Sequence, residues 1–173
     1  MPANIEVKAR VRDFPGLKAR AESLSDTSVK VIPQEDTFFV VPKGRLKLRE
    51  LTPDHAQLVW YARTDGSGPK RSDYQIHETR EPESLKTTLA LALGVRGVVK
   101  KVRYLYRTGQ TRIHLDDVEG LGQFMELEVV MRPGQTDAEG RAVAEDLMKK
   151  LNVAPEDLLD GAYMDMIEKG NGK

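Results

Sequence analysis

The chain has 173 residues, which is the size of one domain with a substantial core, so we expect a single domain over 1–173. It carries 27 basic and 27 acidic side chains, and this balance gives no argument for nucleic acid or a membrane surface as a partner. The absence of cysteine excludes a disulfide scaffold, a zinc–thiolate site and a thiol nucleophile. No segment resembles a secretion signal or reaches transmembrane length, and we therefore expect a cytoplasmic protein.

Alternation of apolar and polar residues with a period of two predicts β-strands along most of the chain. At the N-terminus, Ile5 and Val7 alternate with Glu6 and Lys8. The same pattern, interrupted by glycine, proline and aspartate turns, predicts strands at 4–11, 29–32, 36–41, 45–51, 57–63, 72–79, 95–107, 111–118 and 123–131. Pro33 is expected to end the strand before it, because proline lacks a backbone donor. We expect about eight strands, mostly in antiparallel hairpins.

Apolar residues at helical spacing predict helices between and after these strands. Asp13 and Thr136 are placed as N-caps, and Pro82 suits the first turn of a helix. The predicted helices cover 14–25, 82–93 and 137 to about 151, with shorter terminal helices near residues 155 and 163. The tail from Gly170 is expected to be disordered.

The fold class that follows is α+β. Eight antiparallel strands can close into a barrel and leave no open edge. The apolar faces of the strands would then point outward, where the amphipathic helices cover them. The polar faces would line the inside as a charged tunnel, although any one of them taken alone could equally be a solvated face.

Four acids lie on the polar edges of predicted strands: Glu6, Asp116, Glu126 and Glu128. Mg²⁺ and Mn²⁺ take oxygen ligands and are usually held by a few carboxylates together with substrate phosphates. Two carboxylates at i and i+2 point the same way along a strand and can share one ion. Such a pair is also common on solvated strand edges.

Basic side chains recur at matching positions of neighbouring strands: Lys8, Arg10, Lys47, Arg49, Arg63, Lys101, Arg103 and Arg112. Arginine binds phosphate oxygens through two parallel hydrogen bonds, and lysine adds a point charge. A triphosphate would need several such bases and a cation. The other interpretation is that these bases are surface residues paired with the acids. The loop at 65–69 lacks the phosphate-loop pattern, but it could carry Lys70 to a phosphate.

The N-terminal strand, Asn4-Ile5-Glu6-Val7-Lys8, resembles the E-x-E-x-K signature of the CYTH family, the triphosphate tunnel metalloenzymes. The resemblance continues in the family's order to about residue 150 and is strongest to the branch of class IV adenylyl cyclases. The blocks that carry it are 44–50, 58–63, 68–74, 101–103, 111–116 and 120–128.

The resemblance implies an eight-stranded tunnel barrel in which the four acids bind Mg²⁺ or Mn²⁺ and the bases bind a triphosphate. It implies catalytic roles for Glu6, Lys8 and Lys70. The expected activity is metal-dependent hydrolysis of an inorganic or organic triphosphate by a monomer or homodimer. The alternatives are a class IV adenylyl cyclase, a thiamine triphosphatase and a non-catalytic polyphosphate or nucleotide binder. Asn4 departs from the signature, which has glutamate at that position.

Overall fold

The computed structural model describes residues 1–63 and 68–171. It consists of nine strands and four helices within that part of the chain, with one 3-10 turn at Pro155–Asp157. The elements are β1 (Ala3–Arg10), α1 (Phe14–Leu24), β2 (Lys30–Phe39), β3 (Arg45–Thr52), β4 (His55–Arg63), β5 (Lys70–Thr79), α2 (Pro82–Leu93), β6 (Val95–Thr108), β7 (Thr111–Val118), β8 (Gly122–Val130), α3 (Asp137–Lys150), β9 (Leu158–Leu159) and α4 (Tyr163–Asn171).

Eight of the strands form the closed antiparallel barrel that the alternation predicts. Their order is β5-β4-β3-β2-β6-β7-β8-β1, and pairing of β1 with β5 closes the ring. The short ninth strand, β9, pairs with Lys8 and Ala9 of β1 just beyond the last residue of β1 that pairs with β5. The closed ring explains the period-two alternation, because every barrel strand has one face toward the tunnel and the other toward the outside of the barrel.

The prediction of two short strands separated by Pro33 is wrong, because β2 is continuous from Lys30 to Phe39. Pro33 pairs with Val102 of β6, whereas the pairing of β2 with β3 begins only at Glu35. At Pro33 the strand therefore has a neighbour on one side only. Proline is tolerated at such an edge position because its missing N–H interrupts no second ladder.

The outward faces of the barrel are covered by three helices, as expected. Helices α1 and α3 pack on β1, β7 and β8, where Val7, Ile113, Leu127 and Leu147 are among the buried residues. Leu85 and Leu89 of α2 pack against Leu48 of β3 and its neighbours. The capping box predicted at Thr136 is present, with hydrogen bonds in both directions between Thr136 and Glu139.

The fourth helix, α4, packs across one end of the barrel. Its Tyr163 and Met164 are buried against Phe38, Val99 and Phe124, which lie at the same end of three strands. Helix α4 extends through Asn171, so it includes the first two residues of the tail that was expected to be disordered. Residues 172–173 of that tail lie outside the described residues, as do residues 64–67, which include part of the expected loop at 65–69. No helix in the described ranges is long and apolar enough to span a membrane.

Candidate active site in the barrel tunnel

The interior of the barrel is lined by charged side chains from every barrel strand. They come from alternate residues, as the register of each strand requires. The predicted site residues that the structure brings into the interior are Glu6, Lys8, Lys47, Arg49, Arg63, Lys101, Arg103, Arg112, Asp116, Glu126 and Glu128. A cavity of about 250 Å³ lies among them, at the end away from α4.

Asp36 is a tunnel carboxylate that the sequence analysis missed. It is 2% exposed, and it accepts two hydrogen bonds from Arg49, from Nε at 2.9 Å and from Nη2 at 2.8 Å. The amines of Lys47 and Lys101 lie 3.7 and 3.9 Å from it. Burial alone would raise the pKa of Asp36, but the charge of Arg49 and then of Lys47 holds this pKa well below its usual range. Asp36 therefore stays ionised.

Asp116, one of the four predicted metal ligands, is fully buried and already bound by protein groups. Arg103 donates two hydrogen bonds to it, both at 2.8 Å, and the hydroxyl of Tyr163 donates a third at 2.9 Å. The amine of Lys101 lies 3.4 Å away. Burial opposes ionisation, but Arg103 and Lys101 outweigh it and keep the pKa of Asp116 low. Asp116 therefore acts as the counter-ion of these bases.

The other three predicted ligands, Glu6, Glu126 and Glu128, influence one another electrostatically. Burial, and then the charges of Glu128 and Glu126, raise the pKa of Glu6 to about 7. Glu126 instead keeps a low pKa in spite of burial, because the amine of Lys8 lies 3.2 Å from it. Glu6 has weaker compensation, with Arg63 at 3.6 Å. The carboxylates around Glu6 would be stabilised by an additional positive charge.

His114 is a buried tunnel residue that the sequence analysis did not count among the candidate site residues. Its ring is 4% exposed, with Nε2 3.4 Å from Glu128 and Nδ1 3.9 Å from Glu126. Burial, and then the charge of Arg103, lower the pKa of His114. The alternation of His114 with Ile113 and Leu115 places it on the same face as Asp116, and this was the signal in the sequence.

Within the described residues, no three acid or histidine side chains lie close enough to form a preformed metal cluster. The donor set nevertheless fits a divalent cation at one place, because the ionisation of Glu6 is opposed by burial and then by the charges of Glu128 and Glu126. Hard cations such as Mg²⁺ bind carboxylate oxygens and keep several ligands from water or substrate phosphate. Glu6, Glu126 and Glu128 are the residues that could hold it, and Asp116 lies among the bases instead.

The bases around the cavity are incompletely neutralised. Burial, followed by the charge of Arg49, lowers the pKa of Lys47 to about 7. Burial, followed by the charge of Arg103, lowers the pKa of Lys101 to about 8. Burial is the main cause of both shifts, and the interior residues named above comprise seven bases and five carboxylates, so positive charge is in excess. A bound anion would relieve this repulsion.

Two predicted phosphate-binding bases remain, and of these Lys70 faces the interior of the barrel whereas Arg10 does not. Arg10 is exposed at the end of β1, 5.3 Å above the ring of Phe124, and it borders a surface groove outside the tunnel. Lys70 is the buried first residue of β5 and is paired with Glu6 of β1. It lines a small recess of the interior together with Glu6 and Lys8, and its amine lies 3.0 Å from Asp160. Arg10 is on the same face of β1 as Glu6 and Lys8, but β1 extends beyond the tunnel at that point.

The C-terminal segment contributes groups that no strand pattern could reveal. The amine of Lys8 lies 3.8 Å from the centre of the Tyr163 ring and donates to the carbonyl of Gly161 at 3.4 Å. The amine of Lys101 lies 4.9 Å from the centre of the same ring. Tyr163 therefore contacts two bases through its ring and Asp116 through its hydroxyl.

Comparison with known proteins agrees with this geometry. The family model described as CYTH domain matches residues 2–163. The protein named "Putative adenylate cyclase MJ0240" from Methanocaldococcus jannaschii is 25% identical over 178 residues, which cover 94% of this chain and 97% of that one. The PH1012 protein of Pyrococcus horikoshii has a structure with a TM-score of 0.82 and 26% identity, covering 94% and 98% of the two chains. A Hippeastrum protein, named "Putative adenylyl cyclase HpAC1" and described as having a dominant triphosphatase activity, shares the fold at 14% identity, with a TM-score of 0.66 and coverage of 98% and 96%.

Proposed function

Because this chain belongs to the CYTH family, we propose that its tunnel binds an inorganic or organic triphosphate and hydrolyses it with a divalent metal ion. The observation that carries the proposal is the uncompensated positive charge around the cavity. Lys47 and Lys101 are buried beside arginines, and both have a lowered pKa. A polyanion would stabilise the charged form of each lysine, so binding of the polyanion is coupled to protonation of these two lysines.

The arginines would supply most of the directional contacts. Arg49 and Arg103 are each held by two hydrogen bonds to a carboxylate, which fixes their planes at the cavity wall. Arg63 and Arg112 also line the cavity, on other strands. Such preorganised donors stabilise the charge that develops on a phosphoryl group during transfer, without reorganising at the moment of reaction.

Mg²⁺ or Mn²⁺ would be held by Glu6, Glu126 and Glu128, where its charge would offset the burial and the carboxylate repulsion that together raise the pKa of Glu6. The ion, when bound, supplies polarisation of the phosphate and activation of the attacking group. The chain itself would bind the remaining phosphate oxygens through Arg49, Arg63 and Arg103. These arginines lie in the same largely buried interior as the carboxylates.

The test is a product assay with the full chain and tripolyphosphate, thiamine triphosphate or ATP, each with Mg²⁺ and with Mn²⁺. We expect release of phosphate that depends on the metal and falls at least about tenfold in Glu128→Gln, since one charged ligand is lost. Glu145→Gln, at an exposed position of α3, is the matched control and should keep full activity. Failure to release phosphate under all of these conditions would contradict the proposal.

A second candidate is adenylyl cyclisation, which the similarity to the Methanocaldococcus jannaschii protein favours. In that reaction the ribose 3′-hydroxyl attacks the α-phosphorus of ATP, and pyrophosphate leaves. Cyclic AMP with pyrophosphate would identify a cyclase, whereas ADP with phosphate would identify a hydrolase. Activity confined to thiamine triphosphate would identify a thiamine triphosphatase, and binding without any product would identify a non-catalytic binder.

A further inference from the structure

Three polar side chains form one row across the wall of the cavity. Asn4 of β1 lies opposite Ser72 of β5, and Ser72 lies opposite Arg63 of β4. Residues paired in this way have their side chains on the same face of the sheet, about 5 Å apart. All three line the cavity. We call them the Asn4–Ser72–Arg63 row.

Each member of the row has a buried polar atom without a hydrogen-bond partner among the described residues. These atoms are Asn4 Oδ1, Ser72 Oγ and Arg63 Nη2. Asn4 is 2% exposed and Ser72 is 0% exposed. Buried polar atoms in native proteins are nearly always satisfied, and leaving three together would be costly. Because the three residues lie on one face of the sheet and line one cavity, a ligand in that cavity is the candidate for their missing partner.

The order of the three atoms defines what that ligand must be. Asn4 Oδ1 is only an acceptor, Arg63 Nη2 is only a donor, and Ser72 Oγ between them can be either. The other terminal nitrogen of Arg63 faces Glu6 at 3.6 Å, which leaves Nη2 for the ligand. The complementary group therefore has anionic oxygens at one end and a hydroxyl at the other.

We propose that the Asn4–Ser72–Arg63 row binds a terminal phosphate group in its monoprotonated form. Arg63 and Ser72 donate to phosphate oxygens, and the P–OH group donates to Asn4 Oδ1. Only the terminal groups of a polyphosphate carry an oxygen that binds a proton near neutral pH, so the row selects a chain end over an internal phosphate. This assignment rests on the proposed function, because it takes the cavity to be a polyphosphate site.

Sulfate provides the discriminating probe because it has the same shape and charge as hydrogen phosphate but no hydroxyl at neutral pH. Asn4 Oδ1 would then face a sulfate oxygen, and these two hydrogen-bond acceptors would repel each other. Calorimetric titration of the full chain with inorganic phosphate and with sulfate, in EDTA at pH 7.5, measures the preference without metal or turnover. We expect phosphate to bind about tenfold more tightly, which is the effect of one hydrogen bond to a charged group.

Two variants test whether the preference for phosphate over sulfate arises from the Asn4–Ser72–Arg63 row. Asn4→Ala should weaken phosphate binding about tenfold, because phosphate loses its acceptor, and should not weaken sulfate binding, because sulfate loses only a repulsive contact. Ser72→Ala removes a single oxygen and should weaken both anions, because a hydroxyl donor serves either one. The matched control is Thr111→Val, since Thr111 Oγ1 is also buried and unpartnered but does not line the cavity. It should change neither affinity.

Equal affinity of the wild-type chain for the two anions would overturn the inference, as would a phosphate preference that survives in Asn4→Ala. If Asn4→Ala does not fold, the test rests on Ser72→Ala, which should bind both anions more weakly. Unchanged binding of both anions in Ser72→Ala would overturn the inference. The proposed function fails separately: the phosphate preference could be present in a chain that releases no product from any triphosphate.

Discussion

Asp36 of β2 and Arg49 of β3 are paired in register, and the guanidinium donates two hydrogen bonds to the carboxylate at 2.9 and 2.8 Å. Lys47 and Lys101 lie within 4 Å of the same carboxylate. One acid thus holds three bases together in the tunnel before any substrate is bound. It is the main local counter-ion of Arg49, which the resemblance implied would bind phosphate.

Replacing Asp36 with asparagine should destabilise the free protein strongly. Three buried bases would lose their shared counter-ion, and removing one partner of a buried ion pair typically costs about 3–5 kcal/mol. Urea unfolding at low salt measures the free energy of unfolding. Tripolyphosphate should recover part of this loss in the variant, because it provides new counter-charge at the same bases.

The matched control for this variant is Glu50→Gln, because Glu50, on the neighbouring strand β3, forms a partly exposed ion pair with Lys86 at 3.1 Å. Such pairs contribute about 1 kcal/mol or less. If Asp36→Asn lost no more stability than this control, the view of Asp36 as the shared counter-ion would be incorrect.

Tyr163→Phe should lower the free energy of unfolding by about 1.5–3 kcal/mol. The variant keeps the ring beside Lys8 and Lys101 but leaves Asp116 without one of its donors, and hydrogen bonds to charged groups contribute in this range. Urea unfolding at pH 7 is the measurement. Tyr104→Phe, whose ring packs on Phe14 outside the tunnel, should be close to neutral. Equal effects of the two substitutions would argue against the role assigned to the Tyr163 hydroxyl.

Glu6→Gln should stabilise the metal-free protein at alkaline pH and leave it unchanged at acid pH. The pKa of Glu6 is raised from 4.5 to about 7, so the folded state holds a proton that the unfolded state has lost between these pH values. Stability contributed by this group is therefore lost as the pH rises from about 4.5 to 7. The variant avoids the loss and should gain up to about 3 kcal/mol at pH 8.

Unfolding curves of both proteins at pH 4 and pH 8 in EDTA measure this difference. The substitution Glu145→Gln, on the exposed face of α3, controls for loss of an acidic side chain and should give parallel pH profiles. A Glu6→Gln variant that is less stable than the wild type at pH 8 would show that Glu6 is well compensated in the folded state.

The closed barrel and most of its inward-facing charges could be predicted from the alternation of residues along the strands, because most strands have one charged face and one apolar face. Asp36 was missed because the apolar residues after it hid the alternation of Gln34, Asp36 and Phe38. The sequence also could not show that Asp116 is bound by Arg103 and Tyr163, since these contacts depend on register and on a helix that follows the barrel. Arg10 was wrongly included among the tunnel bases, because the alternation of a strand shows which face a residue is on and not where the strand leaves the tunnel.

The central claim is that the buried bases of the tunnel bind a polyanion, and proton uptake on binding tests it most directly. The pKa of Lys47 is about 7 and that of Lys101 about 8 in the free protein, so both are partly neutral at pH 8. A triphosphate beside them should raise both values, and the complex should take up about one proton. Calorimetric titration of tripolyphosphate at pH 8, in two buffers with different ionisation enthalpies, measures this uptake. We predict binding with proton uptake that decreases in Lys47→Met and persists in Lys30→Met, at an exposed position of β2. Binding without proton uptake, or an absence of binding, would contradict the account.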